Sequence, residues 1–217
     1  MITPDVGIGL SFYQDKECLK RCLLYLKLDI HPFFKVFAID GRYKGFNSKS
    51  PLSTDGSREV VRTWRRYHPK AVYLYDYPNL YEWQKRQKYV DIVSRKNIDW
   101  LLVLDSDEFI SVFNQKLFFK ELNSIEKLNQ DGEMGSIYGI RMYDVEQNYR
   151  VFRPRLWFRP EKIGYKDKHN QFTAKKIMDD ISADAIQITH YHGCRSQKRQ
   201  EQQKDYEYRL ESLEKKT

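Results

Sequence analysis

Between Asp5 and Asp105 the chain alternates short apolar runs with longer stretches whose apolar residues recur at helical spacing. "DVGIGLSFY", "FFKVFAID", "KAVYLYDY" and "DWLLVLD" have the length and composition of strands, each running into polar residues. Between them, "KECLKRCLLYLKL" sets Leu19, Cys22, Leu23 and Leu26 on one side, with lysines and an arginine on the other. "GSREVVRTWRRYH" and "LYEWQKRQKYVDIVSRKN" read as two further helices. This order predicts an α/β fold: a mostly parallel central sheet with helices on both faces.

Past residue 115 the rhythm changes. "QKLFFKELNSIEKL" is helical in pattern, while "GSIYGIRMYDVE" and "YRVFRPRLWFR" read as strands of a mixed or antiparallel extension. The tail from Arg195 lacks Gly and Pro and predicts a charged helix. The whole chain, 1–217, reads as one domain, divided into 1–110, 111–194 and a terminal helix over 195–217. The loop "GRYKGFNSKSPLSTDGS" is the most flexible-looking segment and has the length of a lid.

Ligands of open α/β sheets bind beyond the carboxyl ends of the strands, where Tyr13, Asp40, Asp76 and Asp105 fall. In "WLLVLDSDEFI" an apolar run ends in Asp105, Ser106, Asp107 and Glu108. Alternation along an extended chain puts Asp105 and Asp107 on one side and Glu108 on the other. Two such carboxylates suit Mg²⁺ or Mn²⁺, metals that serve phosphate substrates. In "ITHYHGCRS", His190 and His192 alternate after a short apolar strand and are candidates to complete that site, with Arg195 as a phosphate partner. Asp40 suits a base or ribose, Lys85 and Arg86 a diphosphate, and Tyr13 and Trp83 a sugar or base. The plainer alternatives are a polar turn, a structural H-x-H and the wet face of a helix.

The net charge of +8 implies anionic partners: nucleic acid, acidic lipid or phosphorylated small molecules. Three cysteines, Cys18, Cys22 and Cys194, are too few and scattered for a disulfide framework, which predicts small buried thiols in a reducing compartment. No apolar run approaches the roughly 18 residues of a membrane span, and "VGIGLSFY" lacks the flanks of a signal peptide. A cytoplasmic protein is expected, with peripheral contact on the cytoplasmic face of a membrane left open.

The motif from Trp100 through Phe109, W-x-x-x-x-D-x-D-E-F, resembles that of a small branch of the family 2-like glycosyltransferases with a GT-A fold. "IGLSFYQDKECLKRCLLYL" is similar to the family's first strand and helix, and "VFAIDGR" to its second strand, ending in a nucleotide-contacting Asp matched by Asp40. "EWQKRQKYVDIVSRKNIDW" resembles the basic helix before the D-x-D. "HYHGCRS" resembles the downstream His segment with a spacing one residue shorter, so either His190 or His192 matches. The similarity covers residues 5–110 and part of 185–200. It implies a nucleotide-sugar-binding first half and an acceptor-side second half. Asp105 would stand near the ribose and metal, Asp107 would bind the metal, and the metal would bridge the diphosphate of a donor, UDP-linked rather than GDP-linked. It further implies inversion by an Asp or Glu base acting on an acceptor hydroxyl of a glycan, lipid-linked or protein substrate. The family's "ED" motif has no clear match; Asp144, Glu146, Asp167 and Asp179 are candidates, with Asp144 and Asp167 preferred.

Two other readings compete. A metal-dependent nucleotidyltransferase would also gather carboxylates, but Glu108 on the face opposite Asp107 counts against it. A nucleic-acid-binding module would use "REVVRTWRRYHPK" and the tail, yet the tail's seven basic and five acidic residues leave a small net field. No G-x-x-x-x-G-K-[ST] loop or G-x-G-x-x-G fingerprint appears.

Overall fold

The computed structural model describes residues 3–128, 135–165, 172–173, 177–195 and 197–214. In chain order the elements are β1 (Val6–Phe12), α1 (Lys16–Leu26), β2 (Phe34–Asp40), α2 (Ser57–Tyr67), β3 (Val72–Asp76), α3 (Glu82–Arg95) and β4 (Trp100–Asp105). They continue as β5 (Glu108–Phe113), α4 (Gln115–Leu128), β6 (Ser136–Asp144), β7 (Tyr149–Phe158), β8 (Ile177–Asp180), β9 (Ile186–His190) and α5 (Gln197–Glu214).

One sheet runs β3-β2-β1-β4-β7-β6-β9-β5, with β8 also paired to β6. β1 to β4 are parallel. β7 runs against both β4 and β6, β9 runs with β6, and β5 closes the far edge against β9. The β-α-β-α-β-α-β order and the mixed extension are therefore as expected. β5 and β8 were not; β5 follows β4 after two residues yet lies at the opposite end of the sheet order.

Strand alternation builds two cores. Val6, Ile8, Leu10, Val36, Ala38, Trp100, Leu102 and Leu104 face α1, α2 and α4. Phe37, Ile39, Leu101 and Val103 face α3 through Tyr89, Val90 and Val93. The glycines of "VGIGLSF" belong to the α3 face. A Cβ on Gly9 would stand 2.7 Å from the Tyr89 ring and one on Gly7 2.9 Å from Val93 Cγ2. Their absence is what lets α3 lie close against the central strand.

Segment 41–56 is hydrogen-bonded to the ends of β1 and β2: the Tyr13 hydroxyl lies 2.6 Å from Ser48 Oγ and donates to Ser50 O at 2.7 Å. Ser53 donates through N and Oγ to the buried Asp40, and Arg42 reaches Ser48 O. Cys18 and Cys194 are not free thiols but a disulfide bridging 176 positions; only Cys22 is a free, buried thiol. The reducing-compartment expectation rested on unpaired thiols, and that premise fails for this pair. Among the described residues no helix is long and apolar enough to cross a membrane.

Candidate active site

β2 and β3 extend the sheet from one side of β1 and β4 from the other. This is the switch point at which open α/β sheets leave a crevice beyond their strand ends. A cavity of 490 Å³ lies there, lined by Asp105, Asp107, Glu108, Asp144, His190 and His192 among others.

Asp105 ends β4, and the chain then turns through Ser106 and Asp107 before β5 begins. Strand alternation therefore does not govern "DSDE". Glu108 does not point away from its neighbours: its carboxylate accepts from Asp105 N at 3.0 Å and shares Arg155 with Asp105. All three carboxylates reach the same cavity, which removes the geometric objection raised against a nucleotidyltransferase. Each of the three also pairs with an arginine: Asp105 with Arg86 and Arg155, Glu108 with Arg155, and Asp107 with Arg195. Arg86 Nη2 lies 2.6 Å from Asp105 Oδ1. Burial would raise the Asp105 carboxyl, but the Arg86 and Arg155 charges hold it down at about 2. Burial dominates at Glu108 and pushes its carboxyl up.

Asp107 has a different company. Its Oδ2 lies 3.2 Å from His190 Nε2, 2.9 Å from His192 Nδ1 and 3.1 Å from Arg195 Nη1. Burial opposes ionisation there, but Arg195 and the two imidazole hydrogen bonds hold the carboxyl well below the usual range. β9 supplies His190 because Ile186 and Ile188 face the core, and the same side of the strand meets the crevice one step on. In register, His190 stands between Glu108 of β5 and Asp144 of β6. Its Nδ1 is 2.9 Å from Asp144 Oδ2. Burial works against its charge, yet the Asp107 hydrogen bond and the surrounding carboxylates raise it to about 9. Asp107, His190 and His192 offer one ligand atom each within 4.8 Å of one another. One carboxylate and two imidazoles are a donor set that fits a divalent transition metal.

The remaining sequence candidates divide. Arg86, Asp105, Asp144 and Arg195 line the cavity. Lys85 does not: it is 0% exposed, and its ammonium donates to Phe12 O and Gly41 O at 2.8 and 2.7 Å, tying the ends of β1 and β2. Burial lowers it to about 7. Tyr13 is buried under the 41–56 loop, and Asp40 is taken up by Ser53 and by Arg58 at 2.7 Å. Trp83 packs half-buried against the α3-side core. Glu146 accepts from Gly193 N at 2.8 Å. Asp167 lies outside the described residues, as does the side chain of Asp179.

Sequence reasoning missed Asp15, Arg155, Arg199 and Tyr206, all on the cavity wall. Asp15 is buried, accepts from Ser106 Oγ at 2.8 Å and ion-pairs with Arg195 and Arg199. The available signal was the polar stop "YQD" after the first strand, and an arginine directly before the buried run Leu156–Phe158. Tyr206 had no such signal, since it reaches the cleft only through the path of α5.

No family model matches the chain, and no curated protein matches it. Solved structures do. Residues 1–349 of S. aureus TarS superpose with a TM-score of 0.53 at 13% identity, over 84% of this chain and 60% of that one. The longer S. aureus TarS structure gives 0.51 at 13%, over 86% of this chain and 36% of that one. The mannosyltransferase PcManGT from Pyrobaculum calidifontis, in complex with GDP-Man and Mn²⁺, gives 0.43 at 15% over 74% and 47%, too distant to build on. This chain thus spans less than two thirds of the length of either TarS structure. The architecture is GT-A-like, a mostly parallel, mixed-edged sheet flanked by helices.

Proposed function

We propose that the chain is a divalent-metal-dependent glycosyltransferase that moves a sugar, with inversion, from a nucleotide-diphosphate donor to an acceptor hydroxyl. The donor is UDP-linked rather than GDP-linked, and the acceptor is a glycan, lipid-linked or protein hydroxyl. The observation that carries this reading is the meeting of Asp107, His190 and His192 at the switch point of a GT-A-like sheet. Their mixed oxygen and nitrogen donors favour Mn²⁺ over Mg²⁺. Bound there, the metal would stabilise negative charge on the departing diphosphate.

The chain's own side chains supply the rest. Arg195, held at Asp107 and Asp15, is placed to turn a guanidinium edge to phosphate oxygens. Arg86 and Arg155 keep Asp105 ionised beside the ribose side of the cleft. Asp144 is the base: among the described carboxylates of the cavity it alone has no arginine partner, contacting His190 and Gln147 N instead.

The test is thermal melting with UDP, GDP, CDP and ADP, each with and without Mn²⁺. A ligand at a hundredfold over its dissociation constant adds about 2.7 kcal/mol to stability. A shift that needs both UDP and metal, and disappears in Asp107→Ala, is expected. No shift with any nucleotide would sink the reading.

A further inference from the structure

The Cys18–Cys194 bridge joins two segments that both border Asp107. Cys18 lies in the first turn of α1, just after Asp15, the residue that pairs with Ser106, Arg195 and Arg199. Cys194 ends the short 3-10 turn His192–Cys194, and Arg195 follows at once. Two of the groups on Asp107 therefore flank a bridged cysteine, at His192 Nδ1 and Arg195 Nη1. The third, His190, is fixed independently by its ladders to β5 and β6.

His192 has no such ladder, and its side chain is 43% exposed. Besides the bridge, its turn is tied by Tyr191 N to Asp107 O, by Gly193 N to the exposed Glu146, and by Arg21 over the Tyr191 ring. The first of these reaches a buried residue and the other two lie near the surface, while Arg195, just past the turn, adds its own pairs with Asp15 and Asp107. The bridge differs in kind: it is covalent, and it fastens the end of the turn to the first turn of α1.

We infer that the Cys18–Cys194 disulfide is a redox latch for the cleft. Closed, it holds His192 and Arg195 on Asp107 and completes the three-ligand set; opened by an external dithiol, it leaves Asp107 and His190 alone. The inference rests on the metal-site reading above and concerns the regulation of that same site.

Access sets the direction of the exchange. Cys18 is 1% exposed, whereas Cys194 is partly open and lines a second cavity of 740 Å³ beside Lys16, Lys49 and Arg199. An entering thiolate attacks Cys194 Sγ, the S–S bond breaks, and Cys18 leaves as a thiolate that takes up a proton. The second thiol of the reductant then attacks the mixed disulfide and frees Cys194. Two electrons and two protons pass to the protein pair, and the dithiol departs as its own disulfide. Cys22, one helical turn from Cys18, does not compete. Burial, with Glu108 and Asp107 nearby, keeps its thiol protonated.

The experiment is Mn²⁺ binding to the full chain, read by the electron paramagnetic resonance of free Mn²⁺. Three samples are compared: oxidised protein, protein reduced with dithiothreitol and desalted after alkylation, and Cys194→Ser. Cys22→Ala, which keeps the bridge, is the control. The expected result is at least tenfold weaker Mn²⁺ binding in both bridge-free samples, with the control equal to the oxidised protein. Hydrogen exchange should rise on reduction only across 191–199 and the first turn of α1. Equal Mn²⁺ affinity with and without the bridge would overturn the latch and leave the metal site standing. Exchange rising throughout the sheet would overturn it too, making the bridge a staple of the whole fold. No Mn²⁺ binding in any sample would overturn the metal reading itself, and the latch with it.

Discussion

His190 Nε2 lies 3.2 Å from Asp107 Oδ2, although 83 positions separate the two residues in the chain. The contact is made by topology. β5 leaves the "DSDE" turn for the far edge of the sheet, and its partner there is β9, which ends at His190. A strand-end carboxylate and a strand-end imidazole thereby share one mouth of the crevice.

Replacing Asp107 by Asn should abolish Mn²⁺ binding while the chain still folds. Asn keeps the shape of the side chain but removes the charge facing His190, His192 and Arg195. Breaking a buried ion cluster from one side costs on the order of 3 kcal/mol. Urea unfolding should show a loss of about that size, and the Mn²⁺ titration should be flat. A variant that still binds Mn²⁺ as tightly as the parent would place the metal elsewhere.

Much of the frame was legible because apolar alternation reports directly on burial. Val6 to Leu10 and Trp100 to Leu104 read as strands and are buried as such. The helix order followed from spacing in the same way. The site was legible only in part, for three physical reasons. The extended-chain rule failed at Ser106 and Asp107 because the backbone turns there, so Glu108 was assigned to the wrong side. Lys85 looked like a phosphate ligand because charge in a helix implies solvent, yet it serves two backbone carbonyls in the interior. The Cys18–Cys194 bridge has a separation that no local pattern encodes; only the return of the chain to α1 brings the sulfurs together.

Asp144→Asn tests the base assignment against a purely orienting role. Loss of a general base lowers kcat by roughly 100-fold or more. Loss of an orienting hydrogen bond to a metal-ligating His instead weakens metal affinity by about tenfold. The expected outcome is a fall in kcat with donor KM and Mn²⁺ affinity within a few-fold of the parent. A tenfold loss of Mn²⁺ affinity with kcat restored at saturating metal would make Asp144 a positioning residue for His190.

Gly9→Ala should destabilise the protein without touching the cleft. The added Cβ would stand 2.7 Å from the Tyr89 ring, which is itself fully buried between β1 and Tyr165. Overpacking of this kind costs about 1–3 kcal/mol. The denaturation midpoint should drop accordingly, with Mn²⁺ affinity unchanged. An unaltered midpoint would mean that α3 is free to move off the sheet.

Lys85 gives the chain a distinctive pH dependence. Its ordinary value is 10.5, and burial lowers it to about 7 in the folded protein, against the pull of Asp40 and Asp15. Below pH 7 both folded and unfolded chains carry the proton, and the cost of burying the charge is fully present. Between about 7 and 10.5 the unfolded chain holds a proton that the folded one has lost, so stability from this group rises with pH. The slope approaches about 1.4 kcal/mol per pH unit for one proton. Lys85→Met removes that proton together with the donors to Phe12 O and Gly41 O, which lowers stability by a pH-independent amount. Urea unfolding of both proteins at pH 6, 7, 8, 9 and 10 should therefore show the parent gaining on the variant only above pH 7. Parallel curves across that range would mean that Lys85 keeps its charge in the interior, held by its two carbonyls and the Tyr43 ring 4.3 Å away.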